Sequence, residues 1–269
     1  MSAHAVAHRQ PVWAAQRRRV PGAPADLTLH VLHLEDVSSW AFSAVDCLTE
    51  DELSRACALQ DSHARELFVV SRVALRHVLA HRLGCAAHEV PISHDPRTGA
   101  PHEVHGRAAA VTGSRGDAGP ELAASSALGH VRPVRFSVSR TAGVIALVTA
   151  QRAVGVDVER LQSEVEANVL LDVLHPADRA RLSRMRGRRR AVAVTRTWVR
   201  VEALVKGWQT GLSRDPASIH VGSAARADYG RGWSVSDVRT TARETPKISH
   251  RLASVSRVPG ARRWSITAS

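Results

Sequence analysis

Apolar and polar residues alternate along Val154, Gly155, Val156, Asp157, Val158 and Glu159, the period-two pattern of a strand with unlike faces. Leu27, Leu29 and Val31 alternate similarly and predict a strand from 27 to 34, with His33 as a polar break. Arg135 to Ser139 and Gly143 to Val148 predict two more strands, the second apolar throughout. Trp233 to Asp237 reads as a late strand, and a last one is expected near Arg263 to Thr267. Two stretches change to helical spacing. Residues 64 to 82 place Phe68, Leu75, Val78 and Leu79 on one side, and Gly84 closes the helix. Val194, Trp198, Val201, Val205, Trp208 and Leu212 form a single stripe, so a helix is expected over 192–207, ending near Gly207 or Gly211. Thr49 and Glu52 form a capping box that starts a further helix. Pro176 and Asp178 suit the start of another.

The segments between these elements differ in character. Residues 1–26 carry Arg17, Arg18, Arg19, Pro21 and Pro24 and read as a flexible basic arm. Residues 95–101 form a turn by their Pro and Gly content. Residues 105–130 are rich in Ala, Gly and Ser without periodicity, which predicts a disordered insertion. A strand leading to a long helix occurs twice. The fold class expected is therefore α/β (α+β), with an N-terminal half over 27–150 and a C-terminal half over 151–269.

Composition narrows the partners. The chain has 269 residues, 44% of them hydrophobic, enough for one large domain or two small ones with a real core. A formal charge of +12 favours nucleic acid, phosphorylated small molecules or acidic proteins. No helix-turn-helix, zinc or RNA-binding signature is present and stacking aromatics are few, so nucleic acid is not expected as a partner. Cys47, Cys57 and Cys85 are odd in number and lack metal-site spacing, which suits free thiols in a reducing cytoplasm. No apolar run approaches the ~18 residues needed to cross a bilayer, so no membrane role is expected. A monomer is expected.

Candidate chemistry lies in two places. Asp157 and Glu159 point to the same side of their strand and suit a hard divalent cation such as Mg2+; a solvated strand face is the alternative. Glu202 and Lys206 share a helix face, where an ordinary surface ion pair is the alternative. Lysine occurs only at 206 and 247, the other cations being arginine, so a point charge has been kept at 206 in an arginine-writing chain. Lys206 reads as a phosphate ligand and Glu202 as a third carboxylate for the metal.

The segment GVDVE at Gly155 to Glu159, followed about forty residues later by Trp198, Glu202, Ala203 and Lys206 in the pattern W-x-x-x-E-A-x-x-K, resembles the Sfp-type 4′-phosphopantetheinyl transferases. Arg65, Phe68, Arg72, Leu75 and Arg76 look like that family's N-terminal helix, and Phe136 to Thr141 like its F-N-x-S-H-S segment. The resemblance implies two similar halves related by a pseudo-twofold, with the active site in the cleft between them. It implies Mg2+-dependent transfer of the 4′-phosphopantetheine arm of coenzyme A to a serine of an acidic acyl- or peptidyl-carrier protein, serving fatty-acid, polyketide or peptide synthases. Asp157, Glu159 and Glu202 would hold the metal, and Asp157, Glu202 and Lys206 would be the catalytic group. Arg65, Arg72, Gly99, Pro101, Ser139, Arg140, Thr141 and Lys206 would bind the coenzyme, with Arg140 where the family has a phosphate-facing histidine. Two family lysines are replaced, by Ala100 and Val201. Those departures keep open a second reading, a binding homologue with impaired turnover. The charge and the carboxylates keep open a third, a nucleic-acid-binding protein or metal-dependent nuclease.

Overall fold

The apolar run at 144–148 is buried on both faces, which puts it in the core. The computed structural model describes residues 13–14, 17–18, 20, 23–94, 101–104, 133–209, 214–222, 227–229, 232–238 and 250–257. The first part of the chain contains β1 (Arg17–Arg18), β2 (Thr28–His33), α1 (Leu34–Ser43), α2 (Glu50–Ala58), α3 (Ser62–Leu83), β3 (Ile92–His94), β4 (Pro101–Val104), β5 (Val134–Thr141) and β6 (Val144–Ala150). The second contains β7 (Val154–Arg160), α4 (Glu164–Asp172), α5 (Pro176–Leu182), α6 (Gly187–Trp208), β8 (Ala227–Tyr229), β9 (Trp233–Val238) and β10 (His250–Arg257). The strands form a six-stranded sheet in the order β1-β2-β6-β5-β4-β3 and a four-stranded sheet in the order β7-β10-β9-β8. All these pairings are antiparallel, so the fold mixes helices with antiparallel sheets.

Three apolar clusters hold the layers together. On one face of the large sheet, Ile145 and Leu147 of β6 and Leu32 of β2 pack with Val70, Val73, Leu75 and Leu79 of α3. On its other face, Val144, Ala146 and Val148 meet Val154, Val156 and Val158 of β7. The period-two valines of β7 therefore face the first sheet, and the Gly155, Asp157 and Glu159 face is left for α6. The third cluster lies behind α6, where Val194, Val201, Leu204 and Val205 meet Leu171, Leu174, Leu182 and Val235.

Local signals account for most boundaries. Thr49 and Glu52 make both bonds of the capping box that starts α2. Asp61 caps α3 through Ala64 N–H at 2.8 Å, and Gly84 ends it in the left-handed region at φ 69°. Helix α6 is longer than its stripe predicts. The arginines at 188–190 form its first turn, and Gln209 at φ 60° ends it. Gly207 is therefore inside the helix and does not end it; Leu212 lies outside the described residues, as do Gly211 and the strand expected at 263–267. Strand β10 and helix α1 were not apparent in the sequence pattern. The basic arm is not free along its whole length. Trp13 is 6% exposed, packed edge-on against His30 and His81, and β1 pairs with β2. Residues 105–130 lie outside the description.

Candidate active site

Strand β7 and helix α6 touch backbone to backbone. A Cβ at position 155 would lie 2.0 Å from the Ala203 carbonyl oxygen and 2.5 Å from Gly207 N. Only glycine permits that approach. It brings α6 close enough for Lys206 Nζ to donate to Asp157 Oδ1 at 2.6 Å.

Strand β5 lies beside β7, and their contacts advance together along the two chains. Ser137 Oγ accepts from Val156 N–H at 3.2 Å, Ser139 Oγ donates to Asp157 Oδ1 at 2.8 Å, and Thr141 Oγ1 lies 3.4 Å from Glu159 Oε2. Lys206 Nζ also donates to Ser139 Oγ at 2.9 Å. Ser139 and Thr141, expected to meet the coenzyme, hold the carboxylates in this structure.

Asp157 is 2% exposed, and its Oδ2 is buried without a hydrogen-bond partner. An orphaned carboxylate oxygen in the interior is costly and calls for a cation. Burial raises the pKa of Glu159, and the Asp157 charge raises it further. The same two causes, in the same order, raise that of Glu202, while Lys206 opposes both shifts. Three carboxylates against one ammonium leave an excess of negative charge that a divalent cation would offset. The donor set thus fits Mg2+. The structure brings Asp157, Lys206 and Ser139 into contact. It does not draw Asp157, Glu159 and Glu202 into a closed three-ligand cluster among the described residues.

On the other face of β5, Arg140 turns toward α3. Its Nη1 donates to Ser71 Oγ at 3.2 Å, and its guanidinium lies 5.4 Å from the Phe68 ring centre. Arg72 approaches the same ring at 5.5 Å. The side chain of Arg140 is exposed as a whole, while its guanidinium end is sheltered over Phe68, and that desolvation lowers its pKa. Arg72 is buried, its Nε has no hydrogen-bond partner, and Glu52 Oε1 is 4.0 Å away. Desolvation lowers the Arg72 pKa, Glu52 raises it and Arg140 lowers it again. Two guanidinium groups sharing one ring with incomplete hydrogen bonding are suited to an anion. Arg65 is engaged elsewhere, donating to the Leu59 carbonyl at 2.6 Å where α2 ends. Gly99 lies outside the described residues, and Pro101 opens β4.

The segment carrying β7 and α6 is the part of the chain that is similar to a known family. Residues 153–253 match the family model of the 4′-phosphopantetheinyl transferase superfamily. The match begins one residue before β7, includes Asp157, Glu159, Glu202 and Lys206, and ends within β10. No curated protein matches the chain. No described helix is long and apolar enough to cross a membrane.

Several supporting residues carry no chemical signature in the sequence. Glu52 is visible there as a cap, yet it also takes a 2.7 Å ion pair from Arg76 and lies beside Arg72. Arg200 is fully buried and makes two 2.9 Å bonds to Asp237, tying α6 to β9. Val201, in place of a family lysine, is fully buried in the core behind α6, so it directs no side chain at the carboxylates.

Proposed function

We propose that the protein transfers the 4′-phosphopantetheine arm of coenzyme A to a serine of an acyl- or peptidyl-carrier protein, with Mg2+. The observation that carries this reading is the contact of Lys206, Asp157 and Ser139 across three elements, with Asp157 Oδ2 left open and both Asp157 and Lys206 inside the superfamily match. The carrier serine Oγ would bond to the β-phosphorus of coenzyme A as the bond to 3′,5′-ADP breaks. Bound at Asp157, Glu159 and Glu202, Mg2+ would supply charge neutralisation for the diphosphate. Lys206 would exchange its bond to Asp157 for one to a diphosphate oxygen and stabilise charge developing there. Glu202 would accept the serine proton. Ser139 and Thr141 would keep Asp157 and Glu159 oriented. Arg72 and Arg140 would receive the 3′-phosphate on the α3 side of β5. The two sheets, each with a long helix on its outer face, would be the two halves related by a pseudo-twofold, and the β5–β7 seam the floor of the cleft. The protein would act as a cytoplasmic monomer.

Mass spectrometry of an apo carrier protein incubated with this protein, coenzyme A and Mg2+ tests the reading. The carrier should gain the arm, and EDTA should prevent it. An unmodified carrier after incubation with several carrier types would sink the proposal.

Arg140→Ala should weaken coenzyme A binding roughly ten- to a hundredfold, the range of a charge-assisted contact of about 1.5–3 kcal/mol. Binding of 3′-dephospho-coenzyme A should hardly change. Equal weakening of both ligands, measured by calorimetry, would show that Arg140 does not read the 3′-phosphate.

The raised glutamate pKa values set a pH dependence. Glu159 and Glu202 hold more protons in the folded, metal-free protein than in the unfolded chain above the usual glutamate value of 4.5. Their contribution to stability should therefore fall as pH rises from there through the raised values, while burial of His30 and His77, which lowers their values, acts in the opposite sense. Metal binding requires the ionised carboxylates. The gain in melting temperature on adding Mg2+ should thus be larger at about pH 7.5 than at about pH 5. A gain independent of pH would exclude Glu159 and Glu202 as ligands.

A further inference from the structure

Away from the carboxylates of β7, a second group of ligating side chains converges at the start of α5. His175 is the residue before the helix, Asp178 lies in its first turn, and His220 comes from the segment after the short 3-10 turn Pro216–Ser218. Ligand atoms of all three lie within 4.8 Å of one another. The two imidazole centres are 5.0 Å apart.

Asp178 makes this more than a surface cluster. It is 1% exposed, although carboxylates are rarely buried without a partner of opposite charge. Its Oδ2 accepts from Val221 N–H at 3.2 Å and lies 3.0 Å from His220 Nδ1. Its Oδ1 is buried with no partner. A buried carboxylate oxygen without a donor, beside two histidines, is arranged for a cation. In the tautomer protonated at Nε2, His220 Nδ1 keeps its lone pair 3.0 Å from the Asp178 carboxylate, so nitrogen and oxygen can turn to one cation. His175 Nδ1 accepts from Ala177 N–H at 3.2 Å, a long bond that a metal–nitrogen bond would displace.

We infer that His175, Asp178 and His220 form a site for a borderline divalent metal of the Zn2+ class, which ties the start of α5 to the 214–222 segment. Two imidazoles and one carboxylate suit Zn2+ and exclude Mg2+ or Ca2+, which take oxygen ligands. Tetrahedral bonds of about 2.0–2.1 Å set ligand atoms roughly 3.4 Å apart. Side-chain rotation of the exposed His220 and the half-buried His175 covers the difference from 4.8 Å. Three protein ligands leave the fourth position to water or another small ligand.

The test uses the full chain after treatment with EDTA, titrated with Zn2+ by calorimetry in excess Mg2+, and with Co2+ by visible absorption. One equivalent of Zn2+ should bind, and Co2+ should give the intense visible bands of a four-coordinate centre. His220→Ala and His175→Ala should each weaken Zn2+ binding at least tenfold and abolish the Zn2+-dependent rise in melting temperature. Glu202→Gln, at the other site, should leave Zn2+ affinity unchanged. Pale six-coordinate Co2+ in the wild type overturns the assignment without reference to any variant. Unchanged Zn2+ affinity in both histidine variants overturns it as well. Neither result bears on carrier modification, so this site and the transfer activity stand or fall separately.

Discussion

Gly155→Ala should lower the melting temperature by roughly 6–12 °C and abolish carrier modification. The added methyl would sit 2.0 Å from the Ala203 carbonyl oxygen, 2.5 Å from Gly207 N and 2.9 Å from Gly207 Cα. All three are backbone atoms, so no side chain can rotate to relieve the overlap. Overpacking a core typically costs about 1–3 kcal/mol by side-chain shifts. Here β7 must part from α6, and the cost should reach or pass the top of that range; each kcal/mol moves the midpoint by roughly 2–4 °C in a chain of about this size. Separation would also draw Lys206 away from Asp157, a bond now 2.6 Å long. Gly143→Ala is the control. Nothing lies within 4 Å of a Cβ there, and the cost is only that of a side chain at φ 80°, about 1–2 kcal/mol. Calorimetric scans of the two variants settle the point. Equal, small losses would mean that β7 and α6 do not meet through their backbones.

The same glycines show how far the sequence could be read. The period-two valines and the carboxylates two apart identify β7 and its chemistry, because a strand with unlike faces needs nothing beyond neighbouring residues to be recognised. The stripe from Val194 to Trp208 identifies α6 for the same reason. What the pattern does not hold is the distance between the two. Gly207 reads locally as a helix end, and only the strand lying against it explains a glycine inside the helix. Ser139 and Arg140 are likewise adjacent in sequence and look like parts of one binding segment. Strand pleating sends Ser139 to Asp157 and Arg140 to Ser71, on opposite faces. Glu52 and Asp178 read as capping or first-turn residues, and their side-chain partners come from residues 24 and 42 positions away. Burial of that kind depends on long-range packing and leaves no local trace. Strand β10, inside the small sheet between β7 and β9, lies between stretches without clear periodicity that mark no boundary for it.

Asp157→Asn should abolish transfer while leaving the fold intact. Asparagine keeps the shape of the side chain and can still accept from Ser139 and Lys206 through its amide oxygen. It removes a charge that is 2% exposed and has an orphaned oxygen, so stability should stay within about 1 kcal/mol of the wild type. The loss falls on metal affinity and on charge neutralisation in the transition state. Removal of one preorganised electrostatic contact in other enzymes costs about a hundred- to a thousandfold, and at least that is expected here. Glu159→Gln should be milder, since Glu159 is half-buried and water can take its place beside the metal. The Mg2+-dependent gain in melting temperature should vanish in Asp157→Asn and survive, reduced, in Glu159→Gln. Carrier modification followed by mass spectrometry, with thermal scans in and out of Mg2+, reads both effects. Normal turnover in Asp157→Asn would remove this carboxylate from the reaction. A collapse of the fold would instead make its bonds to Ser139 and Lys206 a structural tie between β5, β7 and α6.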